Sequence, residues 1–141
     1  MKILIVEDNY QKNQNIINLL KKLEISDYTT EKYVSKVLQK ILIMGNTYDL
    51  IITDLGLPRF IDRGIEDKKE GLKMLYDLSY KNINIPAIIY SKTEIHDEQL
   101  NYLNELEYPF IGQANDLESL EKMMIDFVFQ TKISNYTKQI K

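Results

Sequence analysis

The sequence predicts an α/β fold: a doubly wound, five-stranded parallel sheet in the order 2-1-3-4-5, covered by five helices. Three observations predict it. Apolar residues come in short continuous runs of strand length, those runs alternate with stretches of helical spacing, and 141 residues suit one such domain. A strand covered on both sheet faces needs apolar side chains on both, so an unalternated run marks a parallel sheet. Right-handed crossovers then place a helix after each strand.

The first strand is Ile3-Leu4-Ile5-Val6, followed by a helical stripe of Ile16, Leu19, Leu20 and Leu23. Residues 27–32, centred on Tyr28-Thr29-Thr30, are the most polar strand and are placed at a sheet edge, where polarity discourages pairing with other molecules. Val34, Val37, Leu38 and Ile41 mark a second helix that stops at Gly45-Asn46. Leu50-Ile51-Ile52 is the third strand, and Leu72, Leu75 and Tyr76 mark the third helix. Ala87-Ile88-Ile89 is the fourth strand, with Leu100, Leu103 and Leu106 on its helix. Phe110-Ile111 is the fifth, followed by Leu117, Leu120, Met124, Phe127 and Val128. The domain is assigned to residues 1–131, and 132–141, with Lys132, Lys138 and Lys141, is expected to be a frayed polar tail. One segment breaks the pattern. Residues 59–70 hold Arg59, Asp62, Arg63, Glu66, Asp67, Lys68, Lys69 and Glu70, where such connections usually take about 2–6 residues. It reads as a charged surface insertion or as a lid over a site.

Composition narrows the function. At 44% hydrophobic and 28% charged, the chain can bury a core without a metal or disulfide staple. Eighteen Lys+Arg against 21 Asp+Glu leave a net charge of −3, which sets up no field drawing it to nucleic acid or anionic lipid. With no cysteine there is no disulfide framework, no Cys zinc site and no thiol chemistry, which suits a cytoplasmic location. The start, Met1-Lys2 and then four apolar residues, is too short for a signal peptide, and no run approaches the ~18 apolar residues of a membrane span.

Ligands of doubly wound sheets bind beyond the carboxyl ends of the strands, where the winding reverses, here between the first and third strands. Those strands end in Glu7-Asp8-Asn9 and Thr53-Asp54, so three carboxylates distant in sequence share one crevice. Crowded like charges are costly unless a cation sits among them, and hard oxygen donors suit Mg²⁺ and phosphate. Any one of these acids alone would read as a solvated loop charge. The fourth strand ends in Tyr90-Ser91-Lys92-Thr93, which brings a hydroxyl to the same rim; Ser91 is equally readable as a helix cap.

These residues resemble the receiver domain of two-component response regulators, especially single-domain ones of the chemotaxis and sporulation-relay kind, from Lys2 to about Phe129. The stretches that carry the resemblance are 2–9 (KILIVEDN), 48–58 (YDLIITDLGLP) and 86–91 (PAIIYS). The resemblance implies a flavodoxin-like receiver fold, with Asp54 as phosphoacceptor from a phosphohistidine. It also implies Mg²⁺ held by Glu7, Asp8, Asp54 and the backbone carbonyl of Gly56, Ser91 as switch hydroxyl and Phe110 as the aromatic switch. Phe110 reads equally as a core aromatic. Implied partners are a sensor histidine kinase or phosphotransfer protein and a downstream protein target, with a homodimer through the fourth helix and fifth strand. Chemistry would extend to Mg²⁺-dependent self-phosphorylation and dephosphorylation at most. Five βα units fill the length, so output is expected to pass through another protein.

Two departures stand out. Gln113-Ala114 occupies the place where receivers carry lysine before proline, and a neutral amide donates a hydrogen bond about half as strong as a charge-assisted one. Lys92 either supplies the missing charge or points to solvent. The other departure is the 59–70 segment, with Gly71-Leu72 resuming the family pattern. Gln113 keeps open a second reading, a pseudo-receiver that signals without phosphate. A haloacid-dehalogenase-type phosphatase needs a second acid where this chain has Gly56, and a nucleotide fold needs a glycine-rich turn where it has Glu7-Asp8-Asn9-Tyr10. His96, the one histidine, reads as a solvated helix residue sooner than a relay histidine. Tyr90, Tyr102 and Tyr108 fit either an exposed interface patch or core packing.

Overall fold

The structure, a computed structural model, describes residues 1–44, 47–59, 66–67 and 69–139. The elements run β1 (Ile3–Val6), α1 (Tyr10–Lys22), β2 (Tyr28–Glu31), α2 (Val34–Met44), β3 (Leu50–Thr53), β4 (Leu57–Pro58) and β5 (Glu66–Asp67). They continue with α3 (Glu70–Tyr80), β6 (Ala87–Tyr90), α4 (Asp97–Glu105), β7 (Phe110–Ala114) and α5 (Leu117–Gln139). Five strands form one parallel sheet in the order β2-β1-β3-β6-β7, the doubly wound order the sequence predicts. Among the described residues, edge strand β2 pairs with β1 alone.

Period-two alternation divides the strands between two cores. Leu4, Val6, Ile51, Ala87 and Ile89 face α2, α3 and α4, packing on Val37, Leu72, Leu75 and Leu103. Ile3, Ile5, Leu50, Ile52 and Ile88 face α1 and α5, packing on Ile16, Leu20, Leu120 and Met124. Each such side chain, once fully buried, contributes about 1.5–3 kcal/mol before the entropy of ordering is charged against it.

Three helix ends share one device. Glu24, Asn82 and Glu107, just past α1, α3 and α4, take φ of 61°, 58° and 58°. The next residue then closes back on the last turn: Ile25 N–H donates to Leu20 O at 2.8 Å, Ile83 to Leu78 at 2.9 Å and Tyr108 to Leu103 at 3.2 Å. The left-handed backbone is offset by satisfied carbonyls and by burial of Ile25, Ile83 and Tyr108. At the other end of α1, Asn9 Oδ1 accepts from Lys12 N–H at 2.9 Å, which sets the helix directly over the end of β1.

α5 runs on through Gln139, and its exposed side carries Ile125, Phe129, Ile133 and Tyr136. The 59–70 segment is not wholly irregular, because Leu57–Pro58 pairs antiparallel with Glu66–Asp67. Its residues 60–65 and 68 lie outside the described residues, as do Gly45 and Asn46. The described ends of the segment are fastened rather than solvated. Glu70 is buried and pairs with Arg59, whose Nη2 also lies 2.9 Å from Asp77 Oδ2. No helix among the described residues is long and apolar enough to cross a membrane.

Candidate functional site

Pairing register creates the site. β1 and β3 pair in parallel with Val6 opposite Thr53, and Asp54 N–H donates to Val6 O at 2.9 Å. Glu7 and Asp54 are therefore each one residue beyond matched strand ends. Glu7, Asp8 and Asp54 place carboxylate oxygens within 4.8 Å of one another. Of the three, Asp54 lines an open cavity of about 670 Å³, together with Lys12, Gly56, Tyr90, Ser91 and Lys92. The backbone under Asp54 is tightly held. Thr53 Oγ1 donates to Asp54 O at 2.9 Å, Gly71 N–H donates to Leu55 O at 2.8 Å, and Gly71 packs against Asp54 so closely that a Cβ would stand 1.9 Å from its carbonyl oxygen.

Glu7 is only 2% exposed. Its Oε1 accepts from Asn9 N–H at 3.1 Å, while the buried Oε2 has no hydrogen-bond partner among the described residues. Burial first, and then the neighbouring charge of Asp54, push the Glu7 carboxyl up to about 8. A cation among the three acids would reverse that push. An all-oxygen donor set with a buried carboxylate oxygen that accepts no hydrogen bond among the described residues fits a hard divalent ion such as Mg²⁺.

Asp54 Oδ1 accepts from Leu55 N–H at 2.7 Å, and Oδ2 lies 3.2 Å from Lys12 Nζ. The same ammonium is 3.5 Å from Glu7 Oε2 and 5.2 Å from the centre of the Tyr90 ring. Burial pulls the Lys12 pKa down, but Glu7 and Asp54 together outweigh it and leave it raised.

The other expected site residues are placed differently. Ser91 is buried at the cavity, with its Oγ accepting from Thr93 N–H at 3.3 Å. Gln113 turns its amide to the loop after β6, where Nε2 donates to the carbonyls of Ser91 at 2.8 Å and Thr93 at 2.6 Å. Lys92 is exposed on the cavity rim, and among the described residues the cation paired with Asp54 is Lys12. Phe110 opens β7 opposite Ala87, at the other end of the strand from Gln113, and packs half-buried against the core under α3 and α4. His96 is the exposed N-cap residue of α4.

The tyrosines do not form one patch. Tyr90 lies under Lys12, and Tyr108 is buried with its hydroxyl donating to Ile85 O at 2.5 Å. Tyr102 instead meets α3, edge-on to Tyr76 at 4.9 Å and hydroxyl to hydroxyl with Tyr80. Lys12 and Gly71 are the site residues that sequence reasoning passed over. Lys12 had a signal: it is the third residue of a helix that starts at a strand end, and helical side chains lean toward their N-terminus, here toward the acids.

Solved structures share this architecture. The receiver domain of Francisella response regulator 1452 superposes with a TM-score of 0.64 over 92% of this chain and 98% of its own, at 23% identity. This chain has the receiver fold. The BeF3-activated receiver domain of Klebsiella pneumoniae RstA matches over 90% of this chain and 98% of its own, with 19% identity and a TM-score of 0.62. The chemotaxis response regulator CheY4 of Vibrio cholerae covers 89% of this chain and 97% of its own, at 18% identity and a TM-score of 0.63. No family model and no curated protein sequence matches the chain. Within the receiver fold, then, the acidic crevice lies at the carboxyl edge of the β1–β3 pair.

Proposed function

We propose that the chain is a response-regulator receiver that accepts a phosphoryl group on Asp54 from a histidine kinase or phosphotransfer protein and signals by binding a downstream protein. One observation carries the reading: Glu7, Asp8 and Asp54 converge at the switch point, with a buried carboxylate oxygen of Glu7 that accepts no hydrogen bond among the described residues. An Asp54 carboxylate oxygen forms the new P–O bond as the donor's N–P bond breaks. The electron pair returns to the imidazole nitrogen, which takes up a proton. Glu7, Asp8, Asp54 and the Gly56 carbonyl would hold Mg²⁺, which supplies neutralisation of the phosphoryl oxygens. The Ser91 hydroxyl, already at the cavity, is the donor within the loop that would turn toward a phosphoryl oxygen. Asp54 itself is held by Leu55 N–H and the backbone contacts below it, so little of it needs reorganising.

A second reading has its own observation. The Gln113 amide is spent on the carbonyls of Ser91 and Thr93, so it is not offered to a phosphoryl group, as a phosphate-independent interaction module would allow. For that module, and for a homodimer through α4 and β7, Tyr102 and Ile111 are the exposed apolar residues on those elements. Incubation with MgCl2 and acetyl phosphate, followed by intact mass, separates the readings. Gain of one phosphoryl group in the wild type and none in Asp54→Asn is the expected result. No gain in the wild type would favour the interaction module, and gain in Asp54→Asn would move the acceptor elsewhere.

A further inference from the structure

We propose that Lys12 is the resident cation of the acidic crevice: its ammonium bridges Glu7 and Asp54 and competes with a divalent ion for them. The proposal rests on the reading of Glu7, Asp8 and Asp54 as a divalent-cation site. Three observations place the charge there. The ammonium reaches both carboxylates at once, 3.5 Å from Glu7 Oε2 and 3.2 Å from Asp54 Oδ2. It is seated rather than dangling, since its side chain is 34% exposed, its nitrogen lies over the Tyr90 ring, and its helix is pinned at Asn9. Among the described residues no rival ion pair covers the same oxygens: Gln113 is neutral and bonded to Ser91 and Thr93, and Lys92 is exposed.

The charge that the 113 position does not supply from β7 is thus supplied from the first turn of α1, on the opposite wall of the crevice. An ammonium and a divalent ion cannot occupy the same oxygens, so the ion enters only as Lys12 swings out on its flexible stem. If the bridged state is populated about nine times in ten, metal affinity falls about tenfold, because the ion sees only the open fraction. Asp8 is not part of either Lys12 ion pair, which leaves it as the carboxylate that an incoming ion meets first.

The test is MgCl2 binding to the full chain by isothermal titration calorimetry at fixed ionic strength, with no phosphodonor present. Lys12→Met keeps the length and removes the charge, and it should tighten Mg²⁺ binding about tenfold. Lys12→Arg keeps the charge and should stay within about twofold of the wild type. Unchanged or weaker binding in Lys12→Met overturns the proposal while leaving the metal site intact. Equal tightening in Lys92→Met also overturns it, since the effect would then belong to the general field. If neither the wild type nor Lys12→Met binds Mg²⁺, the metal reading fails and the proposal with it. Phosphoryl gain at Asp54 is read separately, so the two failures are told apart.

Discussion

The side-chain amide of Gln113 donates to the backbone carbonyl of Ser91 at 2.8 Å, tying β7 to the loop that follows β6. The same nitrogen reaches Thr93 O at 2.6 Å, and Ser91 N–H returns a bond to Ala114 O at 3.0 Å. Gln113 thereby holds this wall of the crevice in place.

Replacing that amide should loosen the wall. Gln113→Ala removes one partly buried hydrogen bond, to Ser91 O, and one exposed one, to Thr93 O, each worth at most about 0.5–1.5 kcal/mol and the exposed one least, so the loss should be about 1–2 kcal/mol. Urea unfolding should show a lower midpoint at an unchanged slope, and hydrogen exchange should quicken at 92–95. A midpoint equal to that of the wild type would mean that the clamp contributes nothing.

Gly71 should not tolerate a methyl group. Its Cβ would sit 1.9 Å from Asp54 O and 3.1 Å from Leu55 Cα, both backbone atoms that cannot rotate away. Gly71→Ala must therefore push α3 off the β3 end, at a cost of about 1–3 kcal/mol. Because Asp54 moves with that backbone, Mg²⁺ binding should weaken alongside stability. A Gly71→Ala chain with wild-type Tm and metal affinity would contradict the packing.

Arg59 joins the chain before the 60–65 stretch to α3, where Glu70 is 4% exposed. Arg59→Ala strands that carboxylate next to Asp77. A fully buried broken pair costs about 3–5 kcal/mol, but the Arg59 side chain is 31% exposed and solvent screens it, so about 1–3 kcal/mol is expected. A double-mutant cycle with Glu70→Gln measures the coupling, and strictly additive effects would show that the pair is not coupled.

Acid should weaken the start of α5. Asp116 Oδ1 accepts from Ser119 N–H at 2.7 Å, and this bond, ahead of the charge of Lys122, holds its carboxyl below the ordinary carboxylate range. With a folded pKa lower than the unfolded one, the unfolded chain binds the proton first as pH drops. The contribution is present above the unfolded pKa and is lost as pH falls through the depressed folded value. Asp116→Asn keeps a cap but removes the titration, so the gap between the two proteins should close in acid. A gap that stays constant with pH would rule out this linkage.

The architecture was legible in the chain because each central strand is covered on both faces, which writes Ile3–Val6, Leu50–Ile52 and Ala87–Ile89 as uninterrupted apolar runs. The acidic crevice was legible for the same reason, since Glu7 and Asp54 end runs that must pair side by side. Direction and burial of polar side chains were not, because they depend on what faces them. A charge run reads as solvated until Arg59 meets buried Glu70, and which core Phe110 packs against depends on its place in β7. The last turns of α5 are not written as a periodic pattern because they present no apolar stripe to a core, although helical backbone needs none to continue. Lys12 and Gln113 show the division best. Their types and numbers are plain in the sequence, but only the seating of α1 over β1 puts the ammonium between two carboxylates, and only the β6–β7 register turns the amide toward Ser91. Charge acts over a few ångströms, and distances that short between remote residues are decided by packing.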